Sequence, residues 1–94
     1  MAVLPDVDIE QRLTEIGGWR RGEGSSIVRE LKFADFAAAI AFVNSVAELA
    51  EAANHHPDIL VHGYNMVLLT LSTHSEGGLT GADFKLAAQI DRLA

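Results

Sequence analysis

Three of the four histidines in this 94-residue chain stand where regular segments end. His55 and His56 lie in Glu51-Ala52-Ala53-Asn54-His55-His56-Pro57, and His74 closes the run that begins at Tyr64. Imidazole is the side chain whose ordinary pKa lets it give and take protons near neutrality. In a chain without cysteine, three such groups point to proton-transfer chemistry. Glu51 and His55 are four residues apart at the end of an expected helix, a spacing that places two side chains on one face. A carboxylate neighbour and a helix C-terminus would both stabilise a charged ring, which suits a general acid. His56, caught between the helix end and Pro57, is expected to be extended and to point elsewhere, and so to perform a different task. His74 reaches the pair if the strand before it lies beside the helix.

Each of these residues also has a purely structural reading. His55-His56-Pro57 can be a helix cap with solvated rings. Asp83 is the third residue of a capping box opened by Thr80, and Glu51 can be a solvated helix residue. His62, next to Gly63, reads as a surface loop. A zinc site is disfavoured because adjacent histidines rarely chelate one ion and no thiolate is present. Gly77-Gly78 is a turn, too short to cradle phosphate. Histidines at element ends carry little packing, so alanine at His55 or His74 is expected to spare folding.

The elements that must position these groups can be traced along the chain. Ile9, Leu13 and Ile16 predict a short helix over Asp8–Ile16, stopped by Gly17-Gly18. Two strands are expected at Trp19–Glu23 and Ile27–Phe33, with Trp19 anchoring the first on the core. Asp35 caps a long helix running to about Asn54, with Phe36, Ile40, Val43, Ala47 and Ala50 on one apolar stripe that serves as core or partly as an oligomer interface. Pro57 forces the helix to end before it. An apolar stretch from Asp58 to Tyr64 is broken at Gly63, and Met66–Thr73 has the composition of a strand. The helix opened by Thr80 presents Phe84, Ala87, Ala88 and Ile90. The order helix-strand-strand-helix-strand-strand-helix predicts an α+β fold, a four-stranded antiparallel sheet with three helices on one face.

Ninety-four residues are expected to form one domain, residues 1–94. The hydrophobic fraction of 49% is that of an ordinary globular chain. No apolar run approaches the ~18 residues of a membrane span. Met1 to Asp8 hold two acids and no base, unlike a targeting peptide, so the cytoplasm is the default compartment. With a net charge of −6 and only Arg20-Arg21 adjacent among the seven bases, direct nucleic-acid binding is not expected. A domain this small buries a modest share of its surface, which makes self-association a natural source of stability.

Glu51-x-x-x-His55-His56-Pro57, Tyr64-Asn65-x-Val67, Leu71-Ser72-Thr73-His74, Gly78-Leu79-Thr80 and Asp83 together resemble the pterin-4a-carbinolamine dehydratase family. Gly18-Trp19 and the helix containing Phe42-Val43-Asn44-x-Val46-Ala47 extend the resemblance from about Ile9 to Leu93. It implies dehydration of a 4a-hydroxytetrahydropterin to quinonoid dihydropterin, which recycles the pterin cofactor of aromatic amino acid hydroxylases. It also implies dimers or tetramers, and no metal or organic cofactor. By the same resemblance His55 and His74 protonate the departing hydroxyl, His56 binds and orients the pterin, and Glu51 and Asp83 orient or tune the histidines. Family members also serve as a dimerisation cofactor of a homeodomain transcription factor, and related domains assist Rubisco assembly. A non-catalytic protein-binding role is therefore the alternative. Compared with animal members, the segment from Pro57 to Tyr64 is one residue longer, with Gly63 the expected place of a bulge. Ile59 stands where an aromatic is frequent, and Met66 where a base is.

Overall fold

The computed structural model describes residues 2–94. Its elements are α1 (Asp6–Leu13), β1 (Arg20–Arg21), β2 (Ile27–Lys32), α2 (Phe36–Ala53), β3 (Asp58–His62), β4 (Met66–Leu71) and α3 (Gly81–Asp91), with a 3-10 turn at His74–Glu76. The four strands form one antiparallel sheet in the order β1-β2-β4-β3. Alternation along β4 decides which face is covered. Val67, Leu69 and Leu71 are fully buried with Ile27, while Met66, Leu68 and Thr70 point to the other side and are half-buried. All three helices contribute to the core above the buried face, through Ile9, the Ala39 side of α2, and Phe84, Leu86, Ala87 and Ile90. This is the α+β arrangement expected.

Several boundaries differ from expectation, each for a local reason. Helix α1 starts at Asp6 rather than Asp8, because Pro5 at its N-cap is extended through its ψ of 159° and Asp6 and Asp8 sit favourably in the first turn. It ends at Leu13, so Ile16 packs on the core from outside the helix. Strand β1 is confined to two residues. Strand β4 stops at Leu71, because Ser72 turns its hydroxyl to the Ser25 carbonyl and Thr73 pairs only with Gly78. His74 therefore opens a 3-10 turn instead of ending a strand. The β3–β4 register runs unbroken from Asp58↔Thr70 to His62↔Met66, so there is no bulge in the strand. In the turn that follows, Gly63 and Tyr64 both adopt left-handed conformations (φ 55° and 56°). His62 is a strand residue, although exposed, and its Nε2 meets Glu30 Oε2 at 2.7 Å on the helix-free face.

In α2 the buried stripe is Ala39, Phe42, Val46 and Ala50, rotated from the one read in the sequence. Phe36 is 54% exposed and Ala47 is exposed, while Ile40 and Val43 are half-buried. The helix is apolar almost all round, so periodicity alone leaves its orientation open and the sheet beneath decides it. With 18 residues and mean hydropathy 1.4, α2 has the length and composition to cross a membrane. Its stripe packed on the sheet, and Asn44, Glu48 and Glu51 along it, identify it as a core helix.

At the far end of α3, Asp91 gathers three donors. Trp19 Nε1–H donates to Oδ1 at 2.8 Å, Gly17 N–H donates to Oδ2 at 2.9 Å, and the Arg29 guanidinium also reaches Oδ1. Trp19 is thereby the buried anchor expected. Gly18 must be glycine: its φ is +78°, and a Cβ there would lie 2.8 Å from Arg29 Nε. Asp91→Ala removes all three bonds and is expected to lower unfolding free energy by about 2–3 kcal/mol, read as a shifted urea midpoint. An unchanged midpoint would show that Asp91 does not hold β1 and β2 to α3.

Candidate active site

The end of α2 sets the direction of both neighbouring histidines. Asn54 is left-handed (φ 49°, ψ 44°), its N–H bonds the Glu51 carbonyl, and the His55 N–H bonds the Ala50 carbonyl at 3.0 Å. This is the two-bond Schellman closure. It takes His55 off the helix, so the four-residue spacing from Glu51 no longer places them together. Glu51 instead meets His56, Oε2 to Nε2 at 2.5 Å, in an exposed pair. His55 turns toward α3.

There Asp83, fully buried, lies with Oδ1 2.6 Å from His55 Nε2. Its other oxygen, Oδ2, accepts from Thr73 Oγ1–H at 2.7 Å and from the Thr80 N–H at 3.0 Å. The Thr80 bond completes the capping box read in the sequence. Asp83 thus does two things, capping α3 with one oxygen and holding a histidine with the other. Thr73 spends its only proton on Asp83, so the 2.9 Å contact between the two threonine hydroxyls runs from Thr80 O–H to Thr73 Oγ1. A carboxylate engaged in this way is an acceptor, which assigns a proton to His55 Nε2 and leaves Nδ1 outside the Asp83 contact. The ring is 14% exposed and lines a cleft of about 380 Å³ between α2 and α3, with Leu49, Ala82, Lys85 and Gln89.

His74 is exposed and faces a separate cleft of about 420 Å³ with Asp58, Glu23, Ser25, Ser72 and Gly77. The two clefts share no lining residue, and His56 lines neither. The three histidines nevertheless gather at one end of the sheet. His55-His56-Pro57 leads directly into Asp58 at the start of β3, and Thr73, bonded to Asp83, immediately precedes His74. Among the described residues no three His, Asp or Glu side chains are arranged to hold a metal ion.

Comparison with known proteins follows the same lines. Residues 2–93 match the family model for pterin 4 alpha carbinolamine dehydratase. The chain belongs to this family. A dehydratase-family protein of Roseiflexus castenholzii, provisionally named a pterin-4-alpha-carbinolamine dehydratase, is 53% identical over 92 residues, covering 98% of this chain and 97% of the relative. One of Thermomicrobium roseum, named in the same way, is 51% identical over 94 residues, covering 100% and 99%. Among solved structures, a transcriptional coactivator/pterin dehydratase from Brucella melitensis superposes with a TM-score of 0.92 at 35% identity, covering 98% of both chains. A pterin dehydratase-like RuBisCO assembly factor of the alpha-carboxysome reaches 0.68 at 30% identity, covering 82% of this chain and 89% of its own.

Within this pterin dehydratase-family chain the structure adds Asp58 to the residues singled out by sequence, and gives Thr73 and Thr80, read there as motif and cap residues, a place in the Asp83 network. Asp58 follows His-His-Pro directly and Thr73 precedes His74, so adjacency was the available signal. Nothing in the sequence points to Glu23. The buried contact also changes what alanine at His55 should do. His55→Ala leaves Asp83 Oδ1 buried without its donor and is expected to cost about 1–3 kcal/mol, whereas His74→Ala, on the surface, should stay within about 0.5 kcal/mol. Equal chemical-denaturation midpoints for the two variants would remove the structural role of the His55–Asp83 contact.

Proposed function

We propose that this protein dehydrates a 4a-hydroxytetrahydropterin to the quinonoid dihydropterin, with histidines moving the protons. The carrying observation is His55, held through Nε2 by a buried carboxylate that is otherwise fully occupied, with Nδ1 left over. Membership of the family supplies the substrate class. In the reaction the C4a–O bond breaks, and a proton delivered to the hydroxyl lets it leave as water. The N5 proton is lost, and its bonding pair becomes the C4a=N5 double bond. No nucleophile is needed, and groups titrating near neutrality suit both transfers. In this reading His55 and His74 exchange the protons, His56 with Glu51 binds and orients the ring, and Asp83 positions His55.

His55→Gln tests the assignment with the least structural damage, because the glutamine amide can donate to Asp83 from the Nε2 position while nothing replaces Nδ1. We expect His55→Gln and His74→Ala each to lower turnover of enzymatically generated 4a-hydroxytetrahydropterin, by at least about tenfold and up to the ~10²–10⁴ that acid–base catalysis contributes. His56→Ala should act more on KM than on kcat. A folded double variant that keeps the wild-type rate would overturn the histidine mechanism.

The names of the two solved relatives, a coactivator and an assembly factor, support a second reading on the same fold, that of a partner-binding protein. Folded wild-type protein that does not accelerate the dehydration would favour it. Self-association belongs to either reading, because α2 leaves Phe36 and Ala47 exposed and β3 leaves Leu60 53% exposed on an edge strand. Sedimentation at micromolar concentration should show dimers or larger species, and a monomer would refute this.

A further inference from the structure

On the helix-free face of the sheet the His74 cleft continues into a second one. This cleft, of about 580 Å³, is lined by Arg20, Val28 and Leu68 and shares Glu23, Ser26 and Thr70 with the first. Strand register fixes their relative positions. Arg20 pairs with Val28, Val28 with Thr70, and Thr70 with Asp58, so one row crosses all four strands. Directly paired residues point to the same face. With neighbouring strands about 4.8 Å apart, Arg20 stands about 10 Å from Thr70, and Asp58 lies one strand beyond on the other side.

The charges along this row are unequal. Arg21, also at the rim, is turned to Asp6 and Glu10 at 3.5 and 3.6 Å, and Arg29 is committed to Asp91. Arg20 has no acidic partner among the described residues. In a chain of net charge −6, which repels anions at large, an unpaired guanidinium beside a polar cleft is a local exception. The wall shared by the two clefts is built for hydroxyl groups. Ser26 donates to the Glu23 carbonyl at 2.7 Å and keeps its lone pairs, the Thr70 hydroxyl has no hydrogen-bond partner among the described residues, and the Glu23 side chain is exposed.

The geometry points to a substrate side-chain subsite: a reduced pterin bound in the His74 cleft carries a hydroxylated chain past Glu23, Ser26 and Thr70 to a terminal phosphate on Arg20. This rests on the proposed dehydration and on the role given there to His74, which lines this cleft, whereas His55 lines the other. Hydroxyls donate to the Glu23 carboxylate and pair with Ser26 and Thr70, and the planar guanidinium meets phosphate oxygens with two parallel N–H bonds. Glu23 sets the polarity of the arrangement, because it accepts hydroxyls and repels phosphate, leaving Arg20, whose neighbour Arg21 is engaged with Asp6 and Glu10, as the favourable end for the anion. Arg20 is then a specificity-determining residue.

Isothermal titration of wild-type protein with 7,8-dihydroneopterin and with its 3′-phosphate, in deoxygenated buffer, tests this. The phosphate ester should bind about ten- to a hundredfold more tightly, as one charge-assisted pair allows. That preference should weaken with added salt, vanish in Arg20→Gln and be partly kept in Arg20→Lys, while the uncharged pterin binds wild type and Arg20→Gln alike. Equal affinity for the two probes, or a phosphate preference that survives Arg20→Gln, overturns the subsite and leaves the pterin reading standing. Binding of neither probe overturns both.

Discussion

A carboxylate with no solvent access is tolerable only when its oxygens are supplied with donors, and Asp83 meets that condition with groups from three parts of the chain. His55 comes from the end of α2, Thr73 from the segment after β4, and Thr80 from the start of α3 itself. The carboxylate therefore fixes where the long helix hands over to β3 and where β4 turns away. It also sits in the first turn of α3, where the helix dipole favours negative charge. The orientation of the candidate catalytic histidine is a consequence of solving this burial problem.

The opposite end of α3 carries the complementary case. Asp91 stands at a helix C-terminus, where the dipole disfavours an anion, and it is compensated by Trp19, Gly17 and Arg29. The helix is thus braced at both ends by side-chain carboxylates, one joined to the histidine end of the sheet and the other to the short edge strand and its neighbour. The row that crosses the sheet from Arg20 to Asp58 lies on the face that none of the helices covers. Groups on that face are free to meet a ligand because the core is built entirely on the other.

Fold alone does not decide between catalysis and partner binding, since solved relatives named for each share this architecture. The hydrogen-bond chain behind His55 serves the burial of Asp83 under either reading, and the ring nitrogen it leaves unbonded is what catalysis would use.

Much of this was legible in the sequence because it depends on local chemistry. Asp35 and Thr80 as caps, Pro57 as a stop, Gly18-Trp19 as an anchor and the order of the seven elements all follow from residues acting within a few positions of themselves. The residues quoted for the family resemblance are likewise a matter of types at fixed offsets. Which side of α2 is buried was not legible, because a helix apolar on every side has no preferred face until a sheet is set beneath it. Nor was the pairing of Glu51 with His56 and of His55 with Asp83. The spacing from Glu51 to His55 holds only while the backbone stays helical, and the left-handed Asn54 ends that one residue too early. Sequence determined which titratable groups stand at the ends of these elements. Tertiary structure decided which nitrogen is held and which is free, because that depends on a carboxylate 28 positions away, brought to the ring by packing.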